Sequence, residues 1–439
     1  MNGKLRWLAV AGVMAWLTTA CLPEGMRIPQ SELLSVLERK VGLIAYVGAD
    51  YNLYVVDQSG SEPIPVTNDA YIGNEYQIYG RPVWSRDGEK LAFARYTGAG
   101  ESLTSVGLWV ANKDGAGLAE VHSSTDFLIY YYWAPDGQRV SFITGTSTNN
   151  IALWLVSASG GAPELLDAGQ PFYWSWAPDS RSLLVHSGGA RADNPEAKLS
   201  LLQLENPVVE QGLQLLPTGF KAPAFSPDGR QLLVATAPEA GKAELLLTDV
   251  SGAETKSLAE YSGDIAFTWS PDGQRIAYIS GEEHRGAGVL GRLTVIDPAG
   301  NQKPIELDEE VYAFFWSPDS QSLAYFVPEE LQPPTPEPGS GGATSTDTIV
   351  IWRLRVMEAK SGKTHVVASF FPSDEFMQVL PYFDQYHQSA TIWSPDSKNL
   401  IVSAYFPQQD ASAILVAAAS GKLDPRFLAE GQIAFWSWK

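Results

Sequence analysis

The chain has 439 residues, of which 45% are hydrophobic and 18% charged, so it can bury a large core and is neither disordered nor collagen-like. Fifty acidic against thirty basic side chains give a formal net charge of −20, which argues against nucleic acid as a partner because phosphate binding needs a basic surface. A single cysteine excludes an internal disulfide framework and any cysteine-rich metal site, and the five histidines lie far apart in the sequence.

The beginning of the chain carries a targeting signal. Lys4 and Arg6 precede an apolar run over residues 7–17, and small residues then lead to Cys21. This order is typical of a secretory signal, so residues 1–20 are predicted to be a signal peptide. Cys21 resembles the lipobox cysteine of bacterial lipoproteins, which implies lipid attachment at Cys21 and an extracytoplasmic protein anchored to a bacterial membrane. Plain signal cleavage would instead leave a soluble secreted or periplasmic protein.

A tether is expected over residues 21–42, between the anchor and the main domain. It contains one short helical signal, with Ser31 as N-cap and Leu34, Leu37 and Val41 on one face. The segment is predicted either to dock as a helix or to serve as a frayed spacer.

A repeat dominates the rest of the sequence. Seven segments resemble TWSPDGQRIAYI, and a truncated eighth, FWSWK, lies at residues 435–439. Their leading aromatic residues are spaced by 43 to 49 positions, apart from one interval of 77, and this spacing is typical of a four-stranded propeller blade. These aromatic residues are predicted to pack in the core, and they are Trp84, Trp133, Trp176, Phe225, Trp269, Trp316, Trp393 and Trp436.

Each motif is predicted to form a hairpin corner. In Ser-Pro-Asp-Gly, proline fixes φ at the second position of a type I turn and glycine takes positive φ at the fourth. Ser180, Ser320 and Ser397 replace that glycine, and Arg86 replaces the first proline. The motif aspartates are therefore interpreted as turn residues rather than a ring of acids, and they are Asp87, Asp136, Asp179, Asp228, Asp272, Asp319 and Asp396.

The two ends of the repeat region complement each other. Residues 43–66 read as the second, third and fourth strands of a blade, and residues 433–438 read as the missing first strand. The prediction is an all-β fold: an eight-bladed β-propeller over residues 43–439, closed by the C-terminal strand pairing with the N-terminal blade, with seven blades as the alternative. Residues 328–347 are predicted to be a disordered loop because they are rich in Pro, Gly, Ser and Thr, and the aromatic segment 370–390 is expected to cover the propeller.

These residues carry a family resemblance. The W-S-P-D-G corner resembles that of the TolB-like propeller family, a WD-repeat-like group, and is more distantly similar to the propellers of the prolyl oligopeptidase and dipeptidyl peptidase group. The first resemblance implies a propeller that binds envelope partners. The second implies activity only beside a hydrolase domain with a G-x-S-x-G elbow, and the sequence contains no such motif.

Candidate chemistry outside the repeat is sparse. No D-x-D-x-D-G calcium loop occurs, no histidine pair has ligand spacing, and residues 306–310 (ELDEE) read as a solvated face, so no metal or cofactor is expected. Residues 282–285 (EEHR) read as an exposed polar loop that could bind a ligand. The aromatic runs 130–133 and 172–176 suggest either a sugar-stacking platform or, more simply, packing between blades.

The sequence therefore predicts a non-enzymatic, extracytoplasmic lipoprotein whose propeller is a rigid, monomeric scaffold for a protein or peptide partner of the cell envelope. Its membrane contact would be the lipid on Cys21, and no nucleic acid would bind. Two alternatives remain: a carbohydrate or cell-wall binding propeller, and an enzyme of the lyase, lactonase or hydrolase type with a site in the central channel.

Overall fold

The structure is a computed structural model that describes residues 40–145, 151–170, 172–188, 197–215, 217, 221–236, 242–331 and 349–439. The predicted signal peptide, Cys21 and all of the tether before Lys40 lie outside the described residues. None of the helices in the described part of the chain combines the length and apolar character that a membrane crossing requires.

The described residues form an all-β fold, as predicted. Five sheets contain four antiparallel strands each, in sequence order across the sheet. The first two sheets comprise β4 Glu75–Trp84, β5 Lys90–Ala99, β6 Ser102–Asn112 and β7 Ala119–Ser124, followed by β8 Leu128–Trp133, β9 Arg139–Gly145, β10 Ile151–Ser157 and β11 Glu164–Gly169. The third comprises β12 Phe172–Trp176, β13 Ser182–Ser187, β14 Lys198–Gln203 and β15 Val209–Gly212. The fourth and fifth comprise β16 Ala224–Phe225, β17 Gln231–Thr236, β18 Ala243–Asp249 and β19 Thr255–Tyr261, then β20 Asp264–Trp269, β21 Ile276–Arg285, β22 Gly288–Ile296 and β23 Ile305–Val311.

The sixth sheet has ten strands and brings the two ends of the described chain together. Its C-terminal part comprises β24 Ala313–Trp316, β25 Ser322–Leu331, β26 Ile349–Glu358, β27 Thr364–Pro372, β28 Asn399–Phe406, β29 Ala411–Ala418 and β30 Arg426–Trp436. Its N-terminal part comprises β1 Ile44–Gly48, β2 Leu53–Val56 and β3 Ile64–Pro65. The two parts join where β30 pairs antiparallel with β1, with Trp436 opposite Ile44 and Ile433 opposite Val47.

One predicted boundary is wrong in part. The expected loop over residues 328–347 begins later, because residues 328–331 extend strand β25 and pair with β26, with Pro328 opposite Trp352. The β25–β26 ladder continues three residues beyond Pro328. Residues 332–348 lie outside the described part of the chain.

In each sheet the first strand runs towards its Ser-Pro-Asp-Gly turn, so these turns lie at one end of the molecule and the starts of the first strands lie at the other. We call the end with the Ser-Pro-Asp-Gly turns the corner end and the opposite end, where β4 and its equivalents begin, the loop end. The seven tryptophans that lead the motifs are at most 7% exposed. The indole Nε1 of Trp133 donates to the carbonyl of Val83 at 3.0 Å, and that of Trp393 donates to the carbonyl of Phe315 at 2.9 Å. Trp133 and Trp393 therefore join neighbouring strand sets as well as filling the core.

Candidate functional site

An insertion at the loop end occupies residues 373–390. It contains helix α1 (Asp374–Met377), a 3-10 helix (Leu380–Tyr382) and helix α2 (Phe383–Tyr386). The Ser373 side chain caps α1 by accepting a hydrogen bond from the backbone N–H of Phe376. Phe376, Leu380 and Phe383 are buried, so the insertion has an apolar underside that packs onto the sheets.

The insertion contacts the first strands of several sheets. The side-chain amide of Gln385 donates to the carbonyl of Trp174 on β12 at 3.0 Å, and its backbone carbonyl accepts from the hydroxyl of Tyr130 on β8 at 3.1 Å. The ring of Phe383 lies 4.7 Å from that of Phe314 on β24. The prediction that the aromatic segment covers the propeller is confirmed by these contacts and by its burial.

A cleft of about 350 Å³ opens beside the insertion. Its walls combine tyrosine rings from three loop-end segments with one basic and one acidic side chain, and we call it the tyrosine cleft. It is defined by Tyr51, Tyr76, Tyr79, Arg81, Tyr96, Leu103, Phe127 and Glu375. At its rim the ring of Phe127 is stacked on that of Tyr96, with centroids 6.4 Å apart, and Phe127 is 49% exposed.

Arg81 forms the floor of the tyrosine cleft. Its backbone has φ of 50°, a left-handed conformation that costs an L-residue about 1 kcal/mol or more, and it lies where the β4–β5 register shifts. The guanidinium donates to the carbonyl of Ile129 at 2.7 Å and to the side-chain oxygen of Gln378 at 3.4 Å. Arg81 thus connects β4, β8 and the insertion, which holds the shape of the cleft.

One buried polar group of the tyrosine cleft makes no hydrogen bond within the described part of the chain. The Tyr96 hydroxyl is buried and has no hydrogen-bond partner among the described residues. Burial raises the pKa of the Glu375 carboxyl, and the positive charge of Arg81 acts in the opposite direction. A hydroxyl and a carboxylate in an aromatic cleft can orient a ligand that brings hydrogen-bond donors together with apolar surface.

A cluster of charged side chains lies on another part of the loop end. Lys221 is buried and ion-paired with Asp264, whose second carboxylate oxygen lies 3.3 Å from Nε2 of His284. Asp384 of α2 is buried nearby, and desolvation raises its pKa to about 6 although the charge of Lys221 lowers it. Sequence reasoning singled out His284 but missed Lys221 and Asp384, which are more than 160 residues apart and carry no shared motif.

The EEHR segment is not a loop. Residues 282–285 belong to strand β21, and the last three of them pair with β22, with His284 opposite Val289. The described residues contain no group of three or more His, Cys, Asp or Glu side chains that could hold a metal ion.

The structure places the seven motif aspartates at the corner end, away from the tyrosine cleft, and does not gather them into one site. Each carboxylate accepts the backbone N–H two residues further on, at 2.9 to 3.2 Å, as in Asp136 with Gln138 and Asp396 with Lys398. The hydrogen bonds from Ser85 and Ser226 help to hold the pKa values of Asp87 and Asp228 below the ordinary value.

The two aromatic runs are buried between sheets. Tyr130 to Trp133 and the described residues of the second run are at most 7% exposed, and the Tyr132 hydroxyl donates to the Trp174 carbonyl of the next sheet at 3.1 Å. The interpretation as packing between blades is confirmed, and a sugar-stacking platform at these residues is wrong because no ring face is free.

Stacked four-stranded antiparallel sheets joined through corner tryptophans, with a helical insertion and an aromatic cleft at one end, define a β-propeller. The chain is a β-propeller, as the repeat predicted. No family model matches the sequence.

Two curated proteins match parts of the sequence. The sequence is 28% identical over 211 residues to an uncharacterized peptidase of Bacillus subtilis, YuxL, a match that covers 45% of this chain and 28% of that protein. It is 22% identical over 210 residues to an uncharacterized protein of Agrobacterium fabrum, covering 46% of this chain and 66% of that protein. The chain thus spans less than two thirds of these curated relatives.

Among solved structures, the oligogalacturonate lyase of Vibrio parahaemolyticus has a TM-score of 0.51 at 13% identity, covering 87% of this chain and 98% of the lyase. An oligogalacturonate lyase in complex with manganese has a TM-score of 0.50 at 14% identity, covering 90% and 98%. TolB from Acinetobacter baumannii has a TM-score of 0.38 at 17% identity, covering 61% and 64%. At these identities the likeness concerns the fold alone.

Proposed function

We propose that this chain is a non-enzymatic binding propeller of the bacterial cell envelope, anchored by lipid on Cys21, that holds a protein or peptide partner in the tyrosine cleft as a monomer. The observation that carries the proposal is a cleft whose aromatic walls continue into an exposed apolar rim. The order of basic, apolar and small residues before Cys21 supports the anchor.

The scaffold for this role is an eight-bladed ring. β27 pairs with β26 over residues 364–370 and with β28 over residues 371–372, and β30 pairs with β29 over residues 426–430 and with β1 over residues 431–436. The ten-stranded sheet can therefore be divided into three blades at these two strands. The isolated bridge between Trp393 and Leu400 supplies the first strand of the blade that contains β28. Three blades and the five separate sheets make eight, and the β30–β1 pairing closes the ring. Closure removes the free sheet edges that would otherwise favour aggregation.

The insertion argues against catalysis in a central channel. Gln385, Phe383 and Asp384 occupy the space where the first strands of different sheets approach each other, and all three are buried. A substrate would have to displace these side chains and break the Gln385 hydrogen bonds to Trp174 and Tyr130. Binding at the rim requires no such rearrangement.

The rim has the composition of a protein-binding surface. Leu103 and Phe127 line the tyrosine cleft, and both are more than a third exposed. Tyr71, which forms a β-bridge with Gln77 next to the cleft residue Tyr76, and its neighbour Ile72 are exposed to at least the same degree. The backbone N–H of Gly100 donates to the carbonyl of Asn74 at 2.8 Å, which brings two of the loop tips together. Aromatic and aliphatic side chains around a pocket with a few polar groups are the usual anchor sites of protein interfaces.

The partner site can be tested with a pair of matched substitutions. Phe127→Asp places a charge in the tyrosine cleft, and Phe427→Asp places one on β30 at a phenylalanine of similar exposure, 45%. After crosslinking in native envelopes, the wild type and Phe427→Asp should capture the same protein, and Phe127→Asp should lose it. Equal capture by both variants, or recovery of peptidoglycan fragments alone, contradicts the proposal.

The anchor is tested separately. Cys21→Ser should move the protein from the membrane fraction to the soluble extracytoplasmic fraction and abolish incorporation of a labelled fatty acid. The crosslinked partner should still be recovered with the soluble protein, because the tyrosine cleft is unchanged. Continued membrane attachment of Cys21→Ser would show that the lipid is not the anchor.

A further inference from the structure

A groove of about 660 Å³ lies at the corner end, between the β12–β15 and β16–β19 sheets. Its position is opposite to that of the tyrosine cleft along the strands. The two sheets approach closely at the corners, where a Cβ on Gly229 would lie 3.2 Å from Pro178, and at the β18–β19 turn, where a Cβ on Gly252 would lie 3.5 Å from Leu213. The groove is lined by side chains of β14, β15, the two corners and this turn.

The groove coincides with the one motif that lacks tryptophan. Phe225 lines it and is half-buried, whereas the seven tryptophans at equivalent positions are at most 7% exposed. Strand β16, which ends at Phe225, has only two residues. A smaller ring on a shortened strand leaves the interface between these two sheets incompletely filled, so the groove follows from the sequence change at this position.

The walls combine an aromatic ring with side-chain amides and carboxylates. The side-chain amides of Gln203 and Gln211 make no hydrogen bond to any described residue. Asp179 and Asp228 each accept a backbone N–H of their own turn through one carboxylate oxygen. The second oxygen of Asp228 lies 3.9 Å from Nε of Arg230, a surface ion pair in which both side chains are exposed. Leu201 and Gln203, two residues apart on β14, lie on one face of that strand.

We propose that this groove binds a neutral oligosaccharide. Vicinal hydroxyls both donate and accept, and therefore match the side-chain amides of Gln203 and Gln211 together with the acceptor oxygens of Asp179 and Asp228. The C–H face of a sugar ring packs against the ring of Phe225. The two carboxylates and the net charge of −20 disfavour an anionic sugar.

A saccharide fits this surface better than an extended peptide. Peptides that add to a sheet bind through the backbone groups of an exposed strand edge. Here the wall is a sheet face, because Leu201 and Gln211 are paired across β14 and β15 and both line the groove. The recognition groups are therefore side chains, which suits a ligand without a repeating backbone of amides.

The test uses the full chain and four probes: the neutral trisaccharides chitotriose, cellotriose and maltotriose, and the acidic trigalacturonate, measured by calorimetry and ligand-observed NMR. At least one neutral trisaccharide should bind. Gln211→Leu should weaken it about tenfold or more, because one lost hydrogen bond leaves a sugar hydroxyl unpaired. Phe225→Trp should weaken binding about tenfold or more, because the larger indole occupies part of the groove while the protein stays folded. Gln302→Leu, at an exposed glutamine outside the groove, should leave the affinity unchanged.

The outcomes separate this inference from the proposed partner site. Phe127→Asp should not alter trisaccharide binding, so either site can fail alone. The inference is overturned if no neutral trisaccharide binds at about 10 mM, if trigalacturonate is preferred, if an extended peptide competes for the groove, or if Phe225→Trp and Gln211→Leu bind as the wild type does.

Discussion

Three corner turns carry serine where the other copies of the motif have glycine. Ser180, Ser320 and Ser397 have φ of 62°, 59° and 60°, a left-handed conformation that favours glycine. Each serine hydroxyl accepts a hydrogen bond from a motif aspartate of the preceding strand set, as in Asp272 N–H to Ser320 Oγ at 3.0 Å. The positive φ of each serine is unfavourable, and the hydrogen bond that its hydroxyl accepts from the adjacent sheet offsets part of that cost.

The combination of strain and hydrogen bond predicts that, at Ser320, glycine destabilises the protein less than alanine does. Ser320→Ala keeps the strain and loses the hydrogen bond, so the free energy of unfolding should fall by about 1 to 2 kcal/mol. Ser320→Gly loses the same bond but relieves the strain, so its stability should stay within about 0.5 kcal/mol of the wild type. Urea denaturation of both variants measures the difference. An alanine variant as stable as the glycine variant would show that the hydroxyl contributes nothing.

Phe225, which leads the fourth of the eight motifs where the others have tryptophan, predicts a stabilising substitution. Phe225→Trp should fill part of the groove and raise the free energy of unfolding by about 0.5 to 2 kcal/mol. The matched control is Phe267→Trp on β20, whose phenylalanine is fully buried and should be overpacked, with a loss of about 1 to 3 kcal/mol. Thermal and urea unfolding compare the two. A loss of stability in Phe225→Trp would mean that the groove is too constrained to accept an indole.

At the scale of elements, the corners and strands could be predicted from the sequence, whereas the position of the insertion could not. A Ser-Pro-Asp-Gly turn is specified by four adjacent residues, so its geometry is visible locally. The contact of Arg81 with Gln378 spans 297 positions, and its bond to Ile129 depends on the register of β8. The tyrosine cleft therefore had no sequence signal, because its aromatic residues belong to no shared motif and segment 370–390 supplies only Glu375 to its lining. The aspartate interpretation required only local geometry, and the observed turn hydrogen bonds agree with it.

The buried carboxyl of Asp384 predicts a pH dependence for the insertion. Its pKa is raised from 3.8 to about 6, so between these values the folded protein holds a proton that the unfolded chain releases. The free energy of unfolding should therefore fall as the pH rises from about 4 to 6, by about 3 kcal/mol from this group.

Asp384→Asn removes the titrating group and tests this sign. The variant should match the wild type near pH 4 and be more stable by about 1 to 3 kcal/mol at pH 7.5. Asp126→Asn, at an exposed aspartate with no comparable burial, should show no such difference between the two pH values. Denaturant unfolding at both pH values gives the comparison. If Asp384→Asn is destabilised more at pH 7.5 than at pH 4, the carboxylate is stabilised by Lys221 and the expected direction is wrong.

At the scale of the whole molecule, the connection between the two ends of the described chain decides the architecture. Complementary halves of a blade at residues 43–66 and 433–438 predicted that the ends would pair, and β30 does pair with β1. This pairing could be predicted because the blade at residues 43–66 lacks a first strand and residues 433–438 read as a first strand without a blade. The extra pairing of β27 with β28, which merges neighbouring strand sets into one ten-stranded sheet, follows from the path of the chain into the insertion and has no local signature.

Removing residues 432–439 tests ring closure. The deletion eliminates the β30–β1 pairing and the fully buried Trp436, whose burial alone is worth about 4 kcal/mol or more. It also exposes the edges of β1 and of the remaining β30, so the product should be protease-sensitive and should aggregate.

The control deletion of residues 438–439 removes the ring of Trp438, which lies 4.1 Å from the Arg86 guanidinium, but keeps Trp436 and the whole β30–β1 pairing. It should lower the melting temperature only slightly. Calorimetry, limited proteolysis and light scattering distinguish the two products, and a longer truncation that remains monomeric with unchanged melting would mean that the β30–β1 pairing does not close the ring.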